Sequence, residues 1–218
     1  MILSNQKEKE NWKKSKIKYV KGALIIGRFQ VMQNWEKPIM DLLAKEVTKN
    51  GGRVLEIGFG LGISATKILQ NGCDSYTLIE AHPKIIDKAK AWEKQITKKF
   101  QNTKIKIIEG FWQDKLSEID GKFDGILFDS SPISEIERDK WFFPFLKKVP
   151  NLLKKDGIFT YYSNETKEFS KKHKKMLDTF FPKNKFVIQY KLIKNLNPVN
   201  CEYWNNDNMC IPVIQRKK

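Results

Sequence analysis

From residue 53 onward, short apolar runs alternate with longer amphipathic stretches. The runs predict strands at 53–58, 75–80, 104–109, 123–129, 157–163, 186–193 and 209–216. The stretches between them predict helices near 62–70, 83–100, 140–154 and 167–180. Such alternation of strand and helix implies an α/β fold, a mostly parallel seven-stranded sheet with helices on both faces. The last two strands are joined through Asn195 to Asn208 with no helical pattern, which predicts a final antiparallel hairpin. Upstream, residues 1–18 are polar and basic and read as loose chain or a frayed helix. An apolar patch, Ala23 to Ile26, lies between glycines. Ile39, Leu42, Leu43 and Val47 then form one face of a helix, with Asn34 as the expected N-cap and Pro38 in the first turn. No repeat or linker divides the chain, so one domain over 1–218 is expected, with 1–50 as lid and helix on a core of 51–218. Trp12, Tyr19 and the short apolar patches suggest that residues 12–36 dock over a site and close on it when a cofactor binds.

The most informative stretch is Gly51 to Ser64, which reads GGRVLEIGFGLGIS. Val54 to Ile57 is short, apolar and bounded by glycines, as in a strand buried on both faces. Gly58, Gly60 and Gly62 then alternate before the next helix. Glycine lets backbone approach a ligand closely and tolerates positive φ, so a strand, a glycine turn and a helix form a ligand-binding unit. Glu56 lies inside the strand, where an acid is costly unless partnered. A dinucleotide site requires G-x-G-x-x-G, and here Ser64 and Ala65 fall where the last glycine would stand. E-x-G-x-G-x-G instead resembles motif I of class I S-adenosylmethionine-dependent methyltransferases, and hence a Rossmann-like fold. That resemblance implies an acid on the ribose hydroxyls at the end of the next strand, and Glu80 stands there.

Composition narrows the partners. The chain has 218 residues, 40% hydrophobic and 12% aromatic, which suffices for a full core and excludes a disordered class. No apolar run is long enough to span a bilayer, and the lysine-rich start lacks a signal-peptide core. Cys73, Cys201 and Cys210 are scattered without metal-ligand spacing, which suits a reduced, cytoplasmic setting and no metal site. The net charge of +16 raises the question of nucleic acid. Arginine occurs only at 28, 53, 138 and 216, and the lysines spread over the whole chain, a pattern of solvated helix faces rather than of a nucleic-acid reader.

Ligands of open α/β sheets lie beyond the carboxyl ends of the strands. Glu109 to Asp114 and Phe128-Asp129-Ser130-Ser131-Pro132 occupy such ends. The second lacks the Asp/Asn-Pro-Pro-Tyr/Phe motif of the nucleobase and glutamine-amide methylating families. Val31-Met32-x-x-Trp35-Glu36-x-Pro38-x-Met40, the glycine turn and Phe123 to Asp129 together resemble the guanidinoacetate N-methyltransferase family, whose domain is shared by fungal enzymes that methylate the δ-nitrogen of protein arginine. The resemblance implies that Glu36 and Asp129 grip a guanidino group. It implies cofactor contacts from Met32, Glu56, Gly58, Phe59, Gly60, Gly62, Glu80, Ala81, Gly110, Phe111, Trp112, Gln113 and Asp129. Substrate contacts would come from Trp35, Glu36, Asp129, Ser130, Tyr162, Asn164 and Glu165.

A guanidinium has no lone pair free for attack and a pKa above about 12. Paired carboxylates bind its fork, fix one nitrogen and can accept its proton as the new C–N bond forms. The expected activity is therefore guanidino N-methylation of a small molecule (guanidinoacetate, arginine or a relative), with RNA or protein arginine as the alternative substrate and no membrane partner. Glu165 and Glu202 add two acids where a substrate carboxylate would lie, which predicts a substrate other than guanidinoacetate.

Overall fold

The structure is a computed structural model that describes residues 6–130, 138–166 and 170–218. Its main sheet contains β4 (Arg53–Ile57), β5 (Ser75–Glu80), β6 (Lys104–Glu109), β7 (Phe123–Phe128), β8 (Leu153–Tyr161), β9 (Phe186–Ile193) and β10 (Met209–Arg216). The order across it is β6-β5-β4-β7-β8-β10-β9. The pairs from β6 through β8 are parallel, and β10 runs antiparallel to both β8 and β9. The seven strands and the closing hairpin are those expected from the apolar runs.

Side-chain alternation along the strands divides the core in two. Val54, Tyr76, Leu78 and Leu127 pack on one face with α2 (Lys37–Val47), α3 (Ile63–Asn71) and α4 (Pro83–Ile96). Leu55, Ile57, Ile79, Ile126 and Phe128 pack on the other with α6 (Arg138–Leu146), α7 (Val149–Leu152) and α8 (Lys171–Phe180). A single turn of helix, α5 (Trp112–Lys115), follows β6.

Three expectations are corrected. The helix expected over 140–154 is two, α6 and α7, with Pro144 inside the first and Pro150 opening the second. The following strand starts at Leu153, because Leu153 pairs with Phe123 and a bulge carries the chain to the next pair, Gly125 with Ile158. Asn34 does not cap α2; it begins a 3-10 turn over Asn34–Glu36, in which the Gln33 N–H donates to Glu36 Oε1 at 2.6 Å. The expected helix start at 167 falls on 167–169, outside the described residues, as do residues 1–5.

The N-terminal region is more ordered than its composition suggested. α1 (Gln6–Lys14) precedes a three-stranded antiparallel sheet of β1 (Ile17–Val20), β2 (Ala23–Ile26) and β3 (Phe29–Gln33). Its Leu24, Ile26 and Met32 are buried and join the core of the α2–α4 face. Lys9, only 7% exposed, ties α1 to the core through an ion pair with Asp114 at 2.6 Å. Burial of a lysine is tolerable here because both carboxylate oxygens lie within hydrogen-bond reach.

Candidate active site

The crevice lies where β4 is flanked by β5 and β7, beyond their carboxyl ends, at the switch point of strand order. The β4–α3 turn forms its floor. Gly58 has φ 93°, and a Cβ there would stand 2.1 Å from the Asp129 carbonyl oxygen. Glycine at this position therefore lets the ends of β4 and β7 touch. Gly60 has φ 52°, and a Cβ would stand 2.7 Å from Met32 Sδ, which accepts the Leu61 N–H at 3.2 Å. Met32 thus lays β3 across the turn, and Gly62, in the left-handed conformation, starts α3.

Above the turn is a cavity with about 690 Å³ of space free of protein atoms, its open mouth included. Of the expected cofactor residues, Met32, Gly58, Gly60, Glu80, Ala81, Gly110, Phe111, Trp112 and Asp129 line it. Ser130, expected on the substrate, lines it too. Trp12, Leu24, Ile26 and Val31 bring α1 and the N-terminal sheet to the cavity wall. Trp141 also lines it, with its Nε1–H donating to the Ser130 carbonyl at 3.1 Å; it was not foreseen. Ser131 and Pro132 lie outside the described residues.

Glu80 ends β5 and organises two loops. Its Oε2 accepts the Phe59 N–H at 2.9 Å, and its Oε1 accepts those of Ala81 and His82 at 2.7 and 2.9 Å. Burial raises its pKa, and the three N–H groups oppose that rise. Three bonds leave a carboxylate room for a further donor such as a ribose hydroxyl. Gln113, next to the cavity wall, has a buried Oε1 with no partner among the described residues, an acceptor suited to an exocyclic amine. Phe59 itself is buried against Trp92, ring centres 5.5 Å apart, and only its backbone faces Glu80.

Glu56 sits elsewhere. It is fully buried on the α2–α4 face, and its oxygens accept from the Ser64 and Tyr76 hydroxyls. Burial pushes its pKa up to about 8 against those two bonds. It braces the start of α3 rather than lining the cavity.

Beside the crevice, Glu36 lies near enough to Asp129 to feel its charge. Glu36 is 3% exposed; its Oε1 accepts the Tyr203 hydroxyl at 2.5 Å as well as the Gln33 N–H. The nearby Tyr162 hydroxyl also favours its ionised form. Burial first, then the charge of Asp129, push the Glu36 pKa up to about 8. Asp129, half-buried on the cavity wall, is pushed up to about 7 by burial, and its carboxylate accepts no hydrogen bond from any described residue. Burial and the nearby acids raise both Tyr162 and Tyr203 well above their ordinary values, so both hydroxyls stay protonated as donors. Trp35 packs on Tyr203 with ring centres 6.3 Å apart, and its buried Nε1 lacks a partner among the described residues. Tyr203 escaped sequence reasoning because the signal beside it, Glu202, is exposed, while its own partner lies 167 residues away.

Two expected substrate residues are placed away from this pair. Asn164 is exposed, with φ 52°. Glu165 turns toward α8: its Oε2 accepts the Ser170 N–H at 2.9 Å and its Oε1 lies 2.8 Å from His173 Nδ1. His173 Nε2 in turn lies 2.5 Å from the Tyr161 hydroxyl. The carboxylate expected to face the substrate is therefore tied into a helix cap.

The sequence pattern of guanidinoacetate N-methyltransferase matches residues 1–217. The chain belongs to the guanidinoacetate N-methyltransferase family. It is 34% identical over 161 residues to protein arginine N-methyltransferase 2 of Candida glabrata, covering 68% of this chain and 36% of that protein. To the Saccharomyces cerevisiae protein of the same name it is 31% identical over 163 residues, covering 69% and 37%. The chain thus matches little more than a third of the length of these relatives. Precorrin-6y C5,15-methyltransferase from Geobacter metallireducens shares the fold, with TM-score 0.53, 12% identity, and coverage of 83% of this chain and 88% of that one. This member of the guanidinoacetate N-methyltransferase family has the Rossmann-like methyltransferase fold, and family and fold imply S-adenosylmethionine as the cofactor. The glycine turn, the spare acceptor capacity of Glu80 and the unpartnered Gln113 Oε1 fit that group. No described helix is long and apolar enough to cross a membrane.

Proposed function

We propose that the chain methylates a guanidino nitrogen, with Glu36 and Asp129 holding the substrate. One observation carries this reading: Asp129 on the cavity wall and the buried Glu36 are near enough to interact, both are raised toward neutrality by burial, and Asp129 accepts no hydrogen bond from a described residue. Such a pair is stable only when protonated or when a cation joins it. A guanidinium supplies that charge, and its planar fork supplies paired donors. The Tyr203 hydroxyl and the Gln33 N–H hold Oε1 of Glu36 and leave its Oε2 for the substrate. Asp129, on the cavity wall, accepts the proton that the reacting nitrogen loses. S-adenosylmethionine supplies the electrophilic methyl group. The packed N-terminal segment, with Trp12 and Met32 over the cavity, keeps water away from the reacting atoms.

We favour a small guanidino compound as substrate. The charge argument against guanidinoacetate loses its basis, because Glu165 is tied to Ser170 and His173 and Glu202 is exposed. The unpartnered Trp35 Nε1 offers a donor for a carboxylate. A second reading, protein arginine, is favoured by the names of the fungal relatives. RNA is disfavoured: the described cavity lining carries Glu80 and Asp129 and no lysine or arginine. Radiolabelled methyl transfer from the cofactor to guanidinoacetate, arginine, agmatine, an arginine-containing peptide and RNA separates these readings. A guanidino compound is expected to have the highest kcat/KM. Label appearing only in RNA, or on a non-guanidino nitrogen, would remove the proposal.

A further inference from the structure

The N-terminal sheet has an open edge. The β1–β2 hairpin closes at Val20 and Ala23 through Lys21 and Gly22, both at positive φ (47° and 81°), as a two-residue turn requires. The Gly27 N–H donates to the Lys16 carbonyl at 2.8 Å. In an antiparallel pair, residues turn their backbone groups alternately toward and away from the partner strand. Lys16, Lys18 and Val20 therefore face β2, while Ile17 and Tyr19 turn their N–H and C=O groups outward. No described backbone group bonds them.

A groove runs along that edge. Residues 13–19, the end of α1, the link to β1 and β1 itself, form one wall without a gap. His82, Pro83, Lys84 and Lys88, at the start of α4, form the other wall. The walls are braced: His82 Nε2 lies 3.1 Å from the Ser15 carbonyl oxygen, and the Trp12 ring meets the His82 ring edge-on at 5.9 Å. Lys13, Lys14, Lys16, Lys18, Lys84 and Lys88 line it, and no acid does. Lys84 reaches only Asp87, at 3.9 Å, both being exposed. Tyr19 is 54% exposed, with the Lys88 ammonium 4.9 Å from its ring centre.

We propose that this groove receives an extended acidic segment of a partner polypeptide, added to β1 as a fourth strand. Edge lysines discourage pairing with neutral or basic strands, and the same charges attract an acidic one. The alternative occupant, a single-stranded nucleic acid, would use the lysines and the Tyr19 ring but leave the Ile17 and Tyr19 backbone groups unpaired. Free backbone groups in register with a uniformly basic lining favour the polypeptide. The inference is independent of which molecule is methylated.

The test is fluorescence anisotropy of the full chain with three probes: an eight-residue peptide of alternating Glu and Val, the same peptide N-methylated at alternate amides, and a single-stranded oligouridylate of equal charge. The peptide is expected to bind saturably. N-methylation, which keeps charge but blocks strand pairing, should weaken it at least tenfold. The pair Lys16→Glu with Lys18→Glu should do the same while leaving cofactor affinity unchanged. If that pair unfolds the hairpin, Lys84→Glu with Lys88→Glu on the helical wall gives the same readout. Absence of peptide binding, equal binding of the N-methylated peptide, or tighter binding of the oligonucleotide overturns the proposal.

Discussion

Guanidino-ligand affinity should rise steeply with pH between 6 and 8. In the free site the carboxyls of Asp129 and Glu36 release their protons near about 7 and about 8. A guanidinium stays protonated throughout this range, so it competes with those protons for the carboxylates. If both acids must be ionised, the competent fraction is roughly 0.1% at pH 6, 5% at pH 7 and 45% at pH 8, and apparent affinity scales with that fraction. Affinity is then expected to rise about fiftyfold from pH 6 to 7 and about tenfold from pH 7 to 8, with release of about one and a half protons at pH 7. The sign follows from both pKa values being raised: the ionised pair is disfavoured until a cation arrives. Calorimetry on the chain saturated with S-adenosylhomocysteine, whose thioether carries no sulfonium charge, in buffers of different ionisation enthalpy measures both quantities. Asp129→Asn should remove about half a proton from the count at pH 7. Affinity is the better readout than thermal stability, because Glu56, also pushed up to about 8, titrates in the same window without touching the cavity. A flat affinity profile with no proton release would falsify the assignment of these two acids to the cation.

Glu80→Gln should weaken cofactor binding by about 1.5–3 kcal/mol, the range for a hydrogen bond to a charged group, and binding calorimetry checks it; unchanged affinity removes Glu80 from the cofactor. Tyr203→Phe keeps the ring on Trp35 but deletes a bond that holds Glu36 down, so the pH profile of kcat/KM should move to higher pH. A drop in rate without that movement would assign Tyr203 to packing alone. Gly58→Ala places a Cβ 2.1 Å from the Asp129 carbonyl at φ 93°, and should destabilise the fold by a few kcal/mol, visible as a lower Tm, while displacing Asp129 and reducing turnover. A variant with parental Tm and activity would show that the β4 and β7 ends can part freely.

Much of the architecture was legible because its causes are local. Short, nearly continuous apolar runs in Val54 to Ile57, Tyr76 to Ile79 and Phe123 to Phe128 mark strands buried on two faces, and successive side chains along them go to the two cores in turn. The glycine turn and the acid closing β5 are chain neighbours of their strands, so spacing alone places them at one crevice. Where signals were weak or shared, the reading failed. β1 carries exposed Lys18 and Tyr19 on an edge, so no apolar pattern betrays it, and Leu152 and Leu153 continue a helical face while the chain has already entered β8. The family resemblance pointed to Glu36 and Asp129, but their mutual charge, the donors behind Glu36 and the bare carboxylate of Asp129 depend on loops brought together from 30, 129, 162 and 203. Likewise, nothing local told Glu165 from a substrate ligand; Ser170 and His173 claimed it only once α8 folded against β8. Sequence determined the strands, the turn and the kinds of group at their ends, because these follow from neighbours along the chain. Tertiary structure alone decided which way each carboxylate points and how hard it is to ionise, because burial and partner distance arise only when distant segments meet.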